Sequence, residues 1–247
     1  MSGLSLRMAW RNLWRHSRRT WLTATAMIFS NVLLVFMISL QFGSYEMMIN
    51  NTLRSFSGHL QVQADGYNEN PKMRSSVADI LPLTEQVRSA LPEADVAARA
   101  MGFALASSEQ RSFGIQVTGV QPGYEPNVST IPGLVRDGRY LEDDNAAEIV
   151  IGSVMARNLK VAVGDEITLL GSGRDGSFAA GVVTVAGIFE TGMSDMDRSF
   201  AHLPFGYFQE TFYMDGHGHG IVVTLDNLGQ VAPATAAICL LYTSPSP

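Results

Sequence analysis

The sequence predicts an α+β protein: one N-terminal transmembrane helix, followed by an extracytoplasmic domain built mainly from short strands. Three observations carry this. Residues 21–40 (WLTATAMIFSNVLLVFMISL) hold no charge, and none occurs between Arg19 and Glu46. The two sides of the stretch differ in charge: five arginines and no acid precede it, while 12 basic residues share the remainder with all 23 acidic ones. Beyond it, apolar and polar residues alternate in runs such as His59–Ala64 and Phe113–Thr118, as half-buried strands require.

At 1.5 Å per helical residue, about 20 apolar residues cross a bilayer core of roughly 30 Å. Residues 21–43 are read as that span, running from Trp21 through Leu40, with Asn31 as its most polar member. One amide is tolerated in such a helix and often marks a contact with another helix. Positive charge beside a span stays cytoplasmic. Arg7, Arg11, Arg15, Arg18 and Arg19 therefore place the N-terminus inside and the large domain outside. A cleaved secretory signal is the competing reading, but its apolar core runs only about 7–15 residues and ends in a small-residue cleavage site. Here the exit, Gln41–Tyr45, has no such pair, which favours an uncleaved anchor. Nucleic acid is excluded as a partner, because the large domain is acidic.

Residues 1–20 read as a cytoplasmic basic amphipathic helix. Leu6, Ala9, Trp10, Leu13 and Trp14 fall on one arc and the five arginines on the adjoining one. Such a helix lies in the headgroup layer, with indoles buried and guanidinium groups on phosphates. It serves either as a basic flank touching only lipid or as a surface also met by a cytoplasmic partner. Residues 44–57 continue as a stalk, where Met47, Met48 and Leu53 are placed to pack on another helix. Gly58 ends it.

His59–Ala64 is a strand and Asp65-Gly66 its turn. Leu83–Leu91 is a helix starting near Thr84, bracketed by Pro82 and Pro92. Val96–Ala106 and Phe113–Val120 form a hairpin across the polar link Ser107–Arg111. After Gln121 the texture changes to short strands and turns. Ala147–Ile151 is a strand, followed by a helix through Val154, Ala156 and Leu159. Glu166–Leu170 and Gly181–Phe189 are strands around a loop at Gly171–Gly176, and Ser199–Pro204 is one more. Phe205–Tyr213 is helical and Gly220–Leu225 is the final strand. Val231–Ala237 begins a helix that stops in Leu240-Leu241-Tyr242-Thr243-Ser244-Pro245, and residues 238–247 read as a non-native tail. The single cysteine, Cys239, allows no internal disulfide. An exported domain of roughly 190 residues is large enough to hold together by its core.

No set of residues marks catalysis, a cofactor or a metal. Gly171–Gly176 fits G-x-G-x-x-G, but the dinucleotide reading needs a helix to follow, and β-branched residues follow instead. His217 and His219 are two ligands where a structural zinc needs four, so a solvated glycine-rich turn is the simpler reading. Asp195 and Asp197 read as a polar loop rather than an acid–base pair. Ser153 lacks the second glycine of a nucleophile elbow. Phe205, Tyr207, Phe208, Phe212, Tyr213 and Met214 read as core, with some available for an interface.

Several segments together resemble the MacB/FtsX-type ABC-transporter permeases, including the lipoprotein-releasing branch. Ala9-Trp10-Arg11-Asn12-Leu13-Trp14-Arg15 with Arg18-Arg19-Thr20 is similar to that family's entry into its first membrane helix. Gly58-His59-Leu60-Gln61-Val62 is similar to the strand opening its outer domain. The most specific set is Gly138, Tyr140 and Leu141, then Glu148–Gly152, then Gly164 and Asp165, and finally Val185–Phe189 with Gly187. The resemblance implies a two-lobed outer domain. One is a split α/β porter-like lobe, here 58–121 and 205–236, and the other a β-rich inserted lobe, here 122–204. It further implies four membrane helices, so that an intact gene would continue past Ala237. The implied partners are a separate cytoplasmic ABC ATPase subunit, since no Walker motif occurs in this chain, and a second permease subunit, identical or not. The implied location is the bacterial inner membrane, with a lipid surface and an envelope or acceptor protein as further contacts. A membrane-anchored scaffold regulating envelope enzymes is the alternative.

Overall fold

The structure, a computed structural model, describes residues 8, 10, 17–52, 58–109, 111–225 and 227–243. Arg7, Arg11 and Arg15, most of the basic flank, lie outside the described residues, as do stalk residues 53–57 and tail residues 244–247. The chain divides into two compact units, Met1–Asn51 and Thr52–Pro247.

Helix α1 (Ser17–Thr52) has 36 residues, about 54 Å at 1.5 Å per residue. Its Ser17–Tyr45 portion is, among the described residues, the one helix long and apolar enough to cross a membrane, by length and composition. Trp21, Leu40 and the large apolar side chains between them are exposed, the surface that a lipid-facing helix presents. Arg18 and Arg19 are exposed at its start. Its polar side chains turn back onto the backbone: Thr25 Oγ1 donates to the Trp21 carbonyl at 2.7 Å and Asn31 Nδ2 to the Met27 carbonyl at 2.9 Å. Asn31 therefore spends part of its hydrogen bonding inside its own helix.

In the second unit, nine strands belong to one sheet: β1 (Leu60–Gln63), β2 (Asp95–Ser107), β3 (Ser112–Val120), β4 (Val135–Gly138), β5 (Glu148–Gly152), β6 (Glu166–Ser172), β7 (Phe178–Phe189), β8 (Phe200–Pro204) and β9 (Gly220–Thr224). The order β1-β9-β2-β3-β8-β5-β7-β4 is closed on itself by β6, which pairs with both β2 and β7. Strands β2, β3, β8, β5, β7 and β6 thus form a ring. Two long strands make this possible. β2 pairs with β9 through Asp95–Arg99 and with β6 through Ala104–Ser107 on one edge, while its other edge carries β3. Closing the ring pairs its member strands on both sides over much of their length, while β1 and β4 remain as the ends of the two branches outside it.

Period-2 alternation sorts the side chains. Val96, Ala98, Ala100, Ala104 and Ala106 of β2 face the main core with Ile115 and Val117 of β3, Ile149 and Ile151 of β5, and Ile167 and Leu169 of β6. The inward residues of β2 are almost all small, which leaves room for helix α6 (Phe205–Thr211) and the turn after it. A Cβ on Gly119 of β3 would lie 2.7 Å from the Phe208 side chain, and one on Gly171 of β6 would lie 2.9 Å from Phe212. Phe205, Phe208 and Phe212 are fully buried, with the Phe208 and Phe212 rings 4.6 Å apart. Helices α2 (Ile80–Ala90) and α7 (Val231–Thr243) bury Ile80, Val87, Ala234 and Ile238 against the same core. The shorter helices are α3 (Glu125–Val128), α4 (Ser153–Leu159) and α5 (Ser194–Ser199).

Several expectations change. Helix α2 starts at Ile80, so Pro82 sits inside its first turn, where a missing N–H costs no hydrogen bond. Helix α7 does not stop at Ala237 but runs to Thr243, and Ile238 is buried because it lies one turn beyond Ala234 on the same face. Strands β6 and β7 extend to Ser172 and back to Phe178, which shortens the glycine-rich loop to a hairpin turn with no helix after it. Asp195 and Asp197 lie on a helix, α5, rather than a loop. The boundaries expected at 121/122 and 204/205 coincide with the ends of β3 and β8. Strands on either side of them nevertheless pair directly, as β2 with β6 and β3 with β8.

Candidate functional site

Residues 121–141 form a strap across the outer face of the ring, opposite the main core. At its start, the Gln121 side-chain carbonyl accepts the Ala98 N–H at 2.9 Å, and the Arg88 guanidinium lies 3.8 Å above the Tyr124 ring. On α3, Glu125 meets Arg99 of β2, with Nη2 2.6 Å and Nε 3.3 Å from its two carboxylate oxygens. Both side chains are buried, at 4% and 0% exposure. Val128 then packs on Ala97 and Val222. Ile131, Leu134, Val135, Tyr140 and Leu141 cover Val120, Val150, Ala186 and Phe189. Near its end, the Tyr140 hydroxyl and His202 Nδ1 of β8 share a 2.8 Å hydrogen bond.

The electrostatics follow from burial. Burial pushes the Glu125 carboxyl up, while Arg99 pulls against it. It pushes the Tyr140 phenol well up and, with the Arg99 charge nearby, brings His202 down to about 3. Tyr140 and His202 are therefore both neutral at pH 7, and their hydrogen bond holds the strap without a second buried charge.

The motif residues gather at the end of β7. Gly138 and Gly187 face each other across the β4–β7 pairing. Gly138 has φ +77°, and a Cβ there would sit 2.2 Å from the Ala186 carbonyl oxygen; one on Gly187 would sit 2.3 Å from that of Arg139. Only glycine lets these backbones approach so closely. Gly164 turns the chain at φ +95°. Its N–H donates to the Val185 carbonyl at 2.9 Å, and the Asp165 carboxylate accepts the Ala162 N–H at 2.8 Å. Gly152 abuts α5, where a Cβ would lie 2.3 Å from the Asp197 carbonyl oxygen. Leu141 is buried in the small cluster under the strap. Tyr140, Leu141, Gly138, Gly152, Gly164, Asp165 and Gly187 thus join β4, β5, β7 and β8 with the turn before β6. The span residues Trp21, Asn31 and Leu40, with Arg18 and Arg19, lie in the other unit.

Residues not singled out in the sequence carry the polar part of this site. Arg99 and Glu125 are 26 positions apart, and the one available signal was a lone charge inside the alanine-rich run of β2. Two histidine and aspartate readings are corrected. His219 is not in a solvated turn: it is fully buried, its Nδ1 accepts the Met101 N–H at 2.9 Å, and burial brings its pKa down to about 4. Asp197 is buried too and accepts the Thr191 N–H and hydroxyl at 2.9 and 2.7 Å, capping the turn before α5. Among the described residues no group of three or more His, Cys, Asp or Glu is placed to hold a metal. The arrangement fastens strands together, and its one hydroxyl–imidazole contact, Tyr140 with His202, is buried.

The sequence matches the family model of the MacB-like periplasmic core domain over residues 20–238. Two solved structures share the fold. The extracellular domain of the noncanonic ABC-type transporter YknZ from Gram-positive bacteria is 18% identical, with 73% of this chain and 90% of that chain covered and a TM-score of 0.54. The periplasmic region of MacB from Actinobacillus actinomycetemcomitans is 12% identical, with 74% and 81% covered and a TM-score of 0.53. No curated protein sequence matches the chain.

Proposed function

The chain belongs to the MacB-like periplasmic core domain family, and from that premise we propose that it works as a permease subunit of an ATP-driven transporter. It is a membrane-anchored extracytoplasmic domain of the ABC-transporter permease type. In the proposed mechanism a cytoplasmic ATPase, carried on a partner chain, moves α1, and the outer unit moves with it in a dimer of permeases in the inner membrane. The envelope cargo, with lipoproteins as one candidate class, would be moved mechanically rather than chemically. The observation that carries this reading is that one family match takes in both the apolar helix and the strand-rich domain, from residue 20 to 238. A strap fastened by a buried ion pair and a Tyr–His hydrogen bond suits a part that must transmit force without deforming.

The test is affinity purification of the full chain from its native membranes. An ATPase bearing a Walker motif should co-purify in stable ratio with it. Recovery with envelope enzymes and no ATPase would replace the transporter reading with that of an anchored regulatory scaffold.

A further inference from the structure

A cavity of about 630 Å³ opens beside the free edge of the sheet, between β1, β2, β3 and the segment 67–73. That volume falls within the roughly 300–1,000 Å³ of small-molecule sites. Its floor is built rather than incidental. The Tyr67 ring, 6% exposed, lies on the His219 ring at 5.2 Å between centroids. His219 in turn ties the Met101 N–H at 2.9 Å and the Met73 carbonyl at 3.3 Å, so three separate chain segments are locked under the cavity. Because Nδ1 accepts from Met101, the proton of the neutral ring sits on Nε2 and points at Met73.

The lining carries hydrogen-bonding groups that the protein does not use. Asn68, Gln116, Tyr67 and Lys72 are among the lining residues, Asn68 and Lys72 exposed, and none of the four has a side-chain hydrogen bond among the described residues. Burial raises the Tyr67 phenol to about 12, so it remains a donor at neutral pH. Lys72 is the one charged residue in the lining, which holds no carboxylate, although the chain as a whole carries a net charge of −6. Beside these groups Phe103 stands 68% exposed, an aromatic face with nothing on it. Hydrogen-bonding residues and an exposed aromatic ring side by side in one concave site suit an amphiphile, and a lining with one cation and no carboxylate favours a negative group.

We propose that this cavity binds a small amphiphilic anion, with one carboxylate-sized negative group on Lys72 and a flat apolar group against Phe103. Asn68, Gln116 and the Tyr67 hydroxyl fix its orientation. The site goes beyond the transporter reading and does not require it, since binding needs neither ATP nor a partner chain.

The test uses the full chain in maltoside micelles with methionine methyl groups labelled for NMR, so that Met73 and Met101 report from the cavity wall. N-acetylphenylalanine and its uncharged amide serve as probes. The acid should shift both methyl signals saturably and bind about fivefold more tightly than the amide, the size expected for one partly exposed ion pair. Lys72→Met should abolish that preference, and Phe103→Ala should weaken both probes alike. Unshifted Met73 and Met101 signals, equal affinity for acid and amide in the unaltered chain, or a preference that survives Lys72→Met would each overturn the proposal.

Discussion

Arg99 on β2 and Glu125 on the strap helix form a buried ion pair, 2.6 Å apart at closest approach, that spans the outer face of the ring. Removing one partner leaves the other charge stranded away from water. Arg99→Ala should therefore destabilise the second unit by roughly 3–5 kcal/mol. Replacing both with apolar residues, as Arg99→Met with Glu125→Leu, should recover most of that loss. Urea unfolding of the three variants checks it, and a double variant as unstable as the single one would show that the pair acts otherwise.

The two buried histidines make stability depend on pH. His202 and His219 have folded values of about 3 and about 4 against an unfolded 6.5. Between those limits the unfolded chain binds protons that the folded one does not, so stability falls as pH drops from 6.5 toward 4 and is whole above 6.5. At about 1.4 kcal/mol per unit, the loss amounts to several kcal/mol. The urea midpoint should fall across this range in the unaltered chain and fall less in His202→Asn with His219→Asn. Equal slopes would mean that neither ring is held neutral.

The alternation at His59–Ala64 and Phe113–Thr118 was legible because a half-buried strand needs an apolar face, and β1 and β3 appear there; β2, β5 and β9 also lie where strands were read, although β9 is buried throughout and β5 nearly so. The closing of the ring was not legible. It depends on β2 pairing with three strands, and small residues such as Ala104 and Gly171 mark room for α6 without naming what fills it. The glycine motif at 138, 164 and 187 was legible as a set by resemblance, while its partners Arg139, Ala186 and Val185 act through backbone atoms that no side chain announces. His219 and Asp197 were misread because glycine and acidic neighbours suggested exposure, whereas both are buried and each accepts a backbone N–H that no side chain announces.

The glycines differ in what an added methyl group would meet. Gly164→Ala puts an alanine at positive φ in open space and should cost about 1–2 kcal/mol. Gly138→Ala adds a clash with the Ala186 carbonyl to the same backbone penalty, so its thermal midpoint should be the lower of the two. The reverse order would mean that β4 shifts away from β7 without cost.

The proposed lobes, 58–121 with 205–236 and 122–204, share the ring through the β2–β6 and β3–β8 pairings. Calorimetry on the second unit should therefore show a single transition rather than two. Phe208→Ala, which empties the space among Gly102, Gly119 and Phe212, should lower that transition by roughly 3–5 kcal/mol in stability. Two separated transitions, with only one affected by Phe208→Ala, would establish independent lobes.

Sidedness is the most direct test of a domain anchored outside the membrane and driven from within. In a Cys239→Ser background, Ser2→Cys and Ser172→Cys are treated with an impermeant maleimide on intact spheroplasts. The arginine asymmetry predicts that position 172 reacts at once and position 2 only after lysis. Both positions reacting from the same side would contradict it.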